Sequence, residues 1–184
     1  MKRTGFWLLF AITMTLYATI LFWSLPQITS AAGGLPPFDL RPGGYSYDEA
    51  VGFLTALTLA GRAFYRGTQH LLDAVYPPLM SLTLFFALAA LAKPIGGWRW
   101  ALASLALPIA VFDLCENIAV DRLLDAGTAI TADLVATASL WTVLKSGLTT
   151  AVMSLLLGVL IVRGIGATYR RMVSPGAPGR WSNS

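Results

Sequence analysis

The sequence predicts an all-α membrane protein: a four-transmembrane-helix bundle with an additional amphipathic helix on the outer side. Three observations predict it. Hydrophobic residues make up 56% of the chain and charged residues 12%, where a soluble domain carries about a quarter charged. Four runs supply the about 20 apolar residues that a helix needs to cross hydrocarbon. The charges lie between those runs rather than along their faces. The length suits a single transmembrane domain, residues 1–173, with no second domain. Residues 174–184, "SPGAPGRWSNS", are rich in Pro, Gly and Ser and read as a disordered tail.

The first span covers about 6–25. Lys2 and Arg3 before it, and Thr29, Ser30, Ala31 and Ala32 after it, also fit a signal peptide. Its apolar stretch exceeds the usual signal core of about 7–15 residues, so a retained helix is expected. The other spans are expected at about 72–92, 100–120 and 135–162. With both termini inside, the inner segments hold Lys2, Arg3, Lys93, Arg99, Arg163, Arg170, Arg171 and Arg180 and no acid. That is the positive-inside pattern of a multi-pass protein of a bacterial inner membrane, both termini cytoplasmic. The net charge of +4 therefore reports topology and contact with anionic lipid, not nucleic acid.

Between the first two spans, "GGLPPFDLRPGGY" reads as an irregular connector. Ser46 then offers an N-cap, with Glu49 three residues on at the capping-box position. Leu54, Leu57, Gly61, Phe64 and Thr68 recur at helical steps, so about 47–70 is expected as one amphipathic helix. Gly61 in mid-helix implies either close packing or a bend. Pro77 and Pro78 imply a break or kink near the start of the second span.

The candidate site is a set of polar residues inside the spans. Asp113, Glu116 and Asn117 stand at i, i+3 and i+4, on one helix face. Asp113 lies about 10 Å deep at 1.5 Å per residue. On the fourth span, Ser139, Thr142, Lys145 and Thr149 form a matching stripe, with Lys145 at a similar depth. Lone charges in a membrane cost about 2.5–3.5 kcal/mol even on a mild scale, so Lys145 is expected to pair with these acids. Asp73 on the second span could join them, and Thr13, Tyr17 and Ser24 on the first could line the same interior. Acids outnumber the single lysine. A protonated acid beside an ionised one suits proton transfer, and equally suits a cationic or polar headgroup.

Other chemistries find little support. Cys115 is the only cysteine, so no internal disulfide is possible. His70 is the only histidine, which leaves no His/Cys set for zinc. No glycine motif suits a nucleotide, and no metal or cofactor is expected.

"GYSYDEA", "GRAFY", "LLDAVYP", "FDLCEN" and the Thr142–Lys145 pair together resemble a functionally uncharacterised family of small bacterial four-span membrane proteins. That family carries an Asp-x-x-Glu-Asn motif in the third span. The resemblance covers roughly 36–150 and rests on Tyr45, Glu49, Gly61, Arg62, Tyr65, Asp73, Pro77, Asp113, Glu116, Asn117 and Lys145. It implies a shared architecture and polar set, not a reaction. "VYPPLM" departs from it in its second proline and in lacking an aromatic residue soon after. On this footing Arg62 and Tyr65 are expected to cover the cluster from the outer helix.

Two functional readings follow. In one, the outer half of the bundle binds membrane lipid or a small amphiphile. Asp113 and Glu116 make the polar contacts, Lys145 sets their charge and Arg62 holds an anionic headgroup. In the other, the protein is a structural or accessory subunit, a homo-oligomer or partner of another membrane protein, and the cluster only locks helix packing.

Overall fold

Backbone in hydrocarbon must bond its own N–H and C=O groups, so an apolar run crosses a membrane as helix. The structure, a computed structural model describing residues 2–173, is helical along all four apolar runs, with no strand among the described residues. The expected tail, 174–184, lies outside the described residues. The helices are α1 (Arg3–Ala31), α2 (Tyr47–Ala56), α3 (Leu59–Leu91), α4 (Trp98–Ser104), α5 (Pro108–Ala126) and α6 (Ala132–Val173).

The spans outrun their apolar runs. α1 has 29 residues, or about 43 Å against a hydrocarbon layer of about 30 Å. Hydropathy marks what lipid covers, whereas the helix continues until a cap or a breaker stops it. The third span is also not continuous. Pro108 has no N–H for the Ser104 carbonyl, and residues 105–107 form a tight turn between α4 and α5. There Ala106 donates to the Ala103 carbonyl at 3.0 Å and Leu107 to that of Ser104 at 3.1 Å.

The helices run up and down. α1 packs on α3, α3 on α5 and α6, and α5 along α6. The N-terminal end of α1 and the C-terminal end of α6 therefore lie at one end of the bundle, near the Lys93–Ile95 turn; the long connector lies at the other. Leu8, Phe22, Leu71 and Val162 point outward, exposed as a lipid-facing surface requires. Two apolar clusters fill the interior. One sits at the connector end, around Phe38, Phe53, Leu54, Leu123 and Leu124. The other sits toward the termini, around Leu84, Leu88, Ile109 and Val152. The polar residues form a layer between them.

The connector end departs most from expectation. The helix expected over 47–70 breaks at Leu57 and Thr58, both in extended conformation. Thr58 is the reason. Its hydroxyl caps α3 by accepting from Gly61 N–H at 3.1 Å, and its own N–H donates to the Ala31 carbonyl at 3.0 Å. Only α2 thus lies outside the spans, and 59–70 belongs to the second span. Gly61 meets the end of α1: a Cβ there would stand 2.5 Å from Ala31 Cβ. Close packing therefore explains this glycine. The connector is not featureless either. Phe38 stacks against Tyr45 and Phe53, with centroids at 4.6 and 4.9 Å.

α2 starts as the capping box requires. Ser46 N–H and hydroxyl donate to Glu49 Oε2 at 2.7 and 2.8 Å, and Ser46 Oγ accepts from Glu49 N–H at 3.3 Å. Those bonds from Ser46 hold the Glu49 carboxyl below its ordinary value.

Two predictions follow from this geometry. Gly61→Ala gains about 1 kcal/mol of helix propensity but meets an overlap of the kind that costs about 1–3 kcal/mol. Its thermal midpoint should fall, and Ala31→Gly in the same chain should restore it. For Glu49, a depressed pKa means that the carboxylate's contribution is complete above the ordinary carboxylate value and is lost as pH falls through the lower folded value. Protection of the Ser46 amide hydrogen, relative to its intrinsic exchange rate, should therefore fall as pH drops below the ordinary carboxylate range, and Glu49→Gln should remove that pH dependence.

Candidate functional site

One turn of α6 places Thr142 and Lys145 on the face toward α5, where one turn of α5 presents Asp113, Glu116 and Asn117. The Lys145 ammonium contacts Glu116 Oε2 and lies 3.1 Å from Asp113 Oδ1. Thr142 Oγ1 donates to Glu116 Oε1 at 2.5 Å. A third carboxylate, Asp39, reaches Lys145 at 3.9 Å from the connector. Its own partner is Tyr65, whose hydroxyl donates to Asp39 Oδ2 at 2.5 Å.

Asp39 is the member of the cluster that sequence reasoning missed. It lies in a Pro- and Gly-rich segment beside Arg41, which suggests an exposed loop pair. Phe38 is instead fully buried and opens a helical turn, Phe38–Leu40, that aims Asp39 inward. Arg41 turns away, donating to the Pro36 carbonyl at 3.0 and 3.1 Å and pairing with Glu49 at 3.4 Å. An aromatic residue, Phe38, next to the acid in a Pro- and Gly-rich stretch was the only signal in the sequence, and the contacts that bury it are not written there.

Asn117 does two things. Its Nδ2 donates to Asp113 Oδ2 at 3.0 Å and to the Asp73 backbone carbonyl at 3.4 Å. That carbonyl would ordinarily accept from residue 77, or from 78 in a wider turn. Both are prolines without an N–H. The side chain on α5 thus supplies the donor that α3 lacks. Of the break or kink expected at Pro77 and Pro78, a break does not occur, and α3 continues to Leu91.

The Asp73 carboxylate takes both its contacts from Gln69 Nε2, each at 2.9 Å, and no cation lies within 4.0 Å of it among the described residues. Gln69 in turn accepts from Ser24 at 2.5 Å. Ser24 and Gln69 each end a π turn, Ile20–Ser24 in α1 and Tyr65–Gln69 in α3. The other polar positions of α1 also meet α3. Thr13 bonds Thr83 at 2.9 Å, and Tyr17 stacks on Tyr76 at 5.9 Å.

Arg62 is not over the cluster. Its Nη1 donates to the Leu124 carbonyl at 3.2 Å, at the C-terminal end of α5, where the helix dipole favours a cation. Arg66 pairs with Asp125 at 2.7 Å and His70 with Asp121 at 3.5 Å along the same seam. Tyr65 does reach the cluster, through Asp39. Ser139 accepts from Tyr45 N–H at 2.9 Å. Gly44 before it has φ 86°, and a Cβ there would stand 2.6 Å from Ser139 Oγ, so only glycine lets the connector approach α6. The Tyr45 hydroxyl is buried without a hydrogen-bond partner. Burial pushes its phenol above the ordinary range, with the Thr142 hydroxyl beside it opposing.

The arrangement is acceptor-rich. Asp39, Asp113 and Glu116 face one ammonium, and Asp73 adds a fourth acid that it does not reach. It is nearly closed but not sealed: the side chains of Glu116, Asp113, Asp39 and Lys145 are 0, 10, 12 and 17% exposed. No set of three His, Cys, Asp or Glu among the described residues converges on a metal position, because the carboxylates converge on Lys145. Chemically, the site can hold a proton between carboxylates or accept hydrogen bonds from a polar head. No protein-family model, curated protein or solved structure matches the chain.

The proline account can be checked directly. Asn117→Leu leaves the buried Asp73 carbonyl without a donor and should destabilise the bundle by about 1–3 kcal/mol. Pro77→Ala in that background returns an N–H to position 77 and should recover part of the loss in a denaturation cycle. A double variant no more stable than Asn117→Leu alone would show that Asn117 acts only through Asp113.

Proposed function

We propose that this multi-pass membrane protein resides in a bacterial inner membrane with both termini cytoplasmic, and that its polar layer binds the head of a lipid or small amphiphile. The gathering of Arg3, Lys93, Arg99 and Arg163 at the terminal end supports that orientation. The same proposal takes the chain as a member of the four-span family that it resembles, whose Asp-x-x-Glu-Asn motif corresponds to Asp113, Glu116 and Asn117.

The observation that carries the binding reading is the excess of carboxylates over cations, with Asp73 left without a cation and the Tyr45 hydroxyl without a partner. Intramembrane charge beyond what a single bridge needs points to function. The head that fits is a hydrogen-bond donor or a cation, such as an amine or a hydroxyl. Asp113, Glu116 and Asp39 with Lys145 form the wall, Tyr65 orients Asp39, and Asp73 makes the contact.

A second reading has its own observation. Lys145 is held directly by carboxylates from α5 and the connector, as a packing lock in an accessory subunit would be.

Co-purified lipid, measured by native mass spectrometry, separates the two. Under the binding reading Asp73→Asn loses most of the retained amine-headed lipid with its thermal midpoint little changed. Under the lock reading Asp73→Asn changes neither. Lys145→Met should destabilise by about 3–5 kcal/mol under both, since it strands buried acids. Glu116→Gln added to it should recover part of that loss under both, since Asp39 and Asp113 still lack the ammonium, and lipid retention should follow the recovered folding only if the cluster is merely a lock. Unchanged retention in Asp73→Asn overturns the proposal.

A further inference from the structure

At the end of the bundle that holds the chain termini, α1, α3 and α4 enclose a cleft of about 630 Å³. Its polar lining is cationic: Arg3, Lys93 and Arg99. Its remaining wall is apolar and aromatic, chiefly Phe6, Phe86 and Trp100. No acid offsets these charges. The sequence has none before Asp39 and none between Asp73 and Asp113. None of the three cations makes an ion pair among the described residues.

Arg99 carries the strongest sign of a missing partner. Its guanidinium lies 4.8 Å over the Trp100 ring, and Trp100 stacks on Phe85 at 5.8 Å. That stack holds the group in place at low entropic cost, as cation–π contacts do. Its Nε is buried with no hydrogen-bond partner. A buried donor left unmet is costly unless something else accepts from it. A planar guanidinium without an ion pair among the described residues, beside two other cations on the cleft wall, suits the oxygens of a phosphate.

We propose that this cleft is a binding site for the phosphate of an anionic phospholipid in the adjacent leaflet, with Arg99, Lys93 and Arg3 on the phosphate and the chains along Phe6 and Phe86. The aromatic wall favours a lipid over free phosphate, because a soluble anion gains nothing from it. Trp7 and Trp98 are exposed close by in sequence, as residues at a membrane–water boundary are. The site shares no residue with the acid-rich layer, so either proposal can fail without the other.

The test uses the full chain in nanodiscs of neutral lipid, titrated with phosphatidylglycerol, with bound anionic lipid counted by native mass spectrometry after extraction. Arg99→Gln and Lys93→Gln should each weaken retention about fivefold, the weight of one cation near an anionic membrane surface. Lys2→Gln, which removes an equal charge from an exposed position outside the cleft, should change it little. Lys93 is exposed, so Lys93→Gln carries the test even if Arg99→Gln fails to fold. Equal losses in Lys2→Gln and Lys93→Gln would reduce the effect to diffuse attraction and overturn the site. Displacement of the lipid by millimolar inorganic phosphate would overturn the lipid assignment in favour of a soluble anion.

Discussion

Everything in the polar layer depends on the Lys145 ammonium. It is the one cation there, and three carboxylates, two from α5 and one from the connector, converge on it. Charges of one sign that close in a medium of low dielectric repel strongly. Without the lysine between them, Asp39, Asp113 and Glu116 could not share a layer. The position of α6 against α5 and the path of the connector over both are consequences of serving that ammonium. Buried ion pairs contribute little net stability against an apolar replacement. Their persistence in a bundle with ample apolar surface is better explained by specificity of arrangement or by use.

Backbone irregularities in the spans sort by the same logic. Pro77 and Pro78 remove two donors from α3, and a side chain of α5 supplies one in their place at the Asp73 carbonyl, so the prolines tie one helix to its neighbour rather than breaking it. Pro108 has no such donor beside it, and there the chain does turn between α4 and α5. One residue type thus has two outcomes, decided by whether a neighbouring side chain can replace the lost bond.

The fold was largely legible because its cause is local. Apolar runs bounded by charge define the spans, and Ser46 with Glu49 marks a helix start within four residues. The set Asp113, Glu116, Asn117 and Lys145 was legible for a related reason, since helical spacing and matched depth are enough to pair two neighbouring spans. What failed to show depends on contacts distant in sequence. Thr58 ends one helix and starts another because the Ala31 carbonyl is within reach of its N–H. Arg62 goes to the end of α5 because Leu124 offers a carbonyl there. Asp39 points inward because Phe38 finds Tyr45 and Phe53. Neither periodicity nor composition carries those distances.

The two π turns bear on the one carboxylate that has no cation. A π turn places one extra residue in the helix and is found often at functional positions. Here the turns of α1 and α3 face each other, and their last residues, Ser24 and Gln69, are joined by a hydrogen bond. Gln69 is then committed: its carbonyl oxygen accepts from Ser24, so its amide nitrogen must face Asp73, to which it donates twice. Asp73 is held by an oriented neutral donor while every other acid of the layer lies within reach of Lys145. A lock would gain more from a cation at that position, and the chain has arginines about two and three turns away at Arg66 and Arg62 that it directs to α5 instead. A carboxyl fixed by a neutral donor, with no cation within 4.0 Å among the described residues, sets Asp73 apart from the three acids that meet Lys145, and it is this difference on which the binding proposal rests.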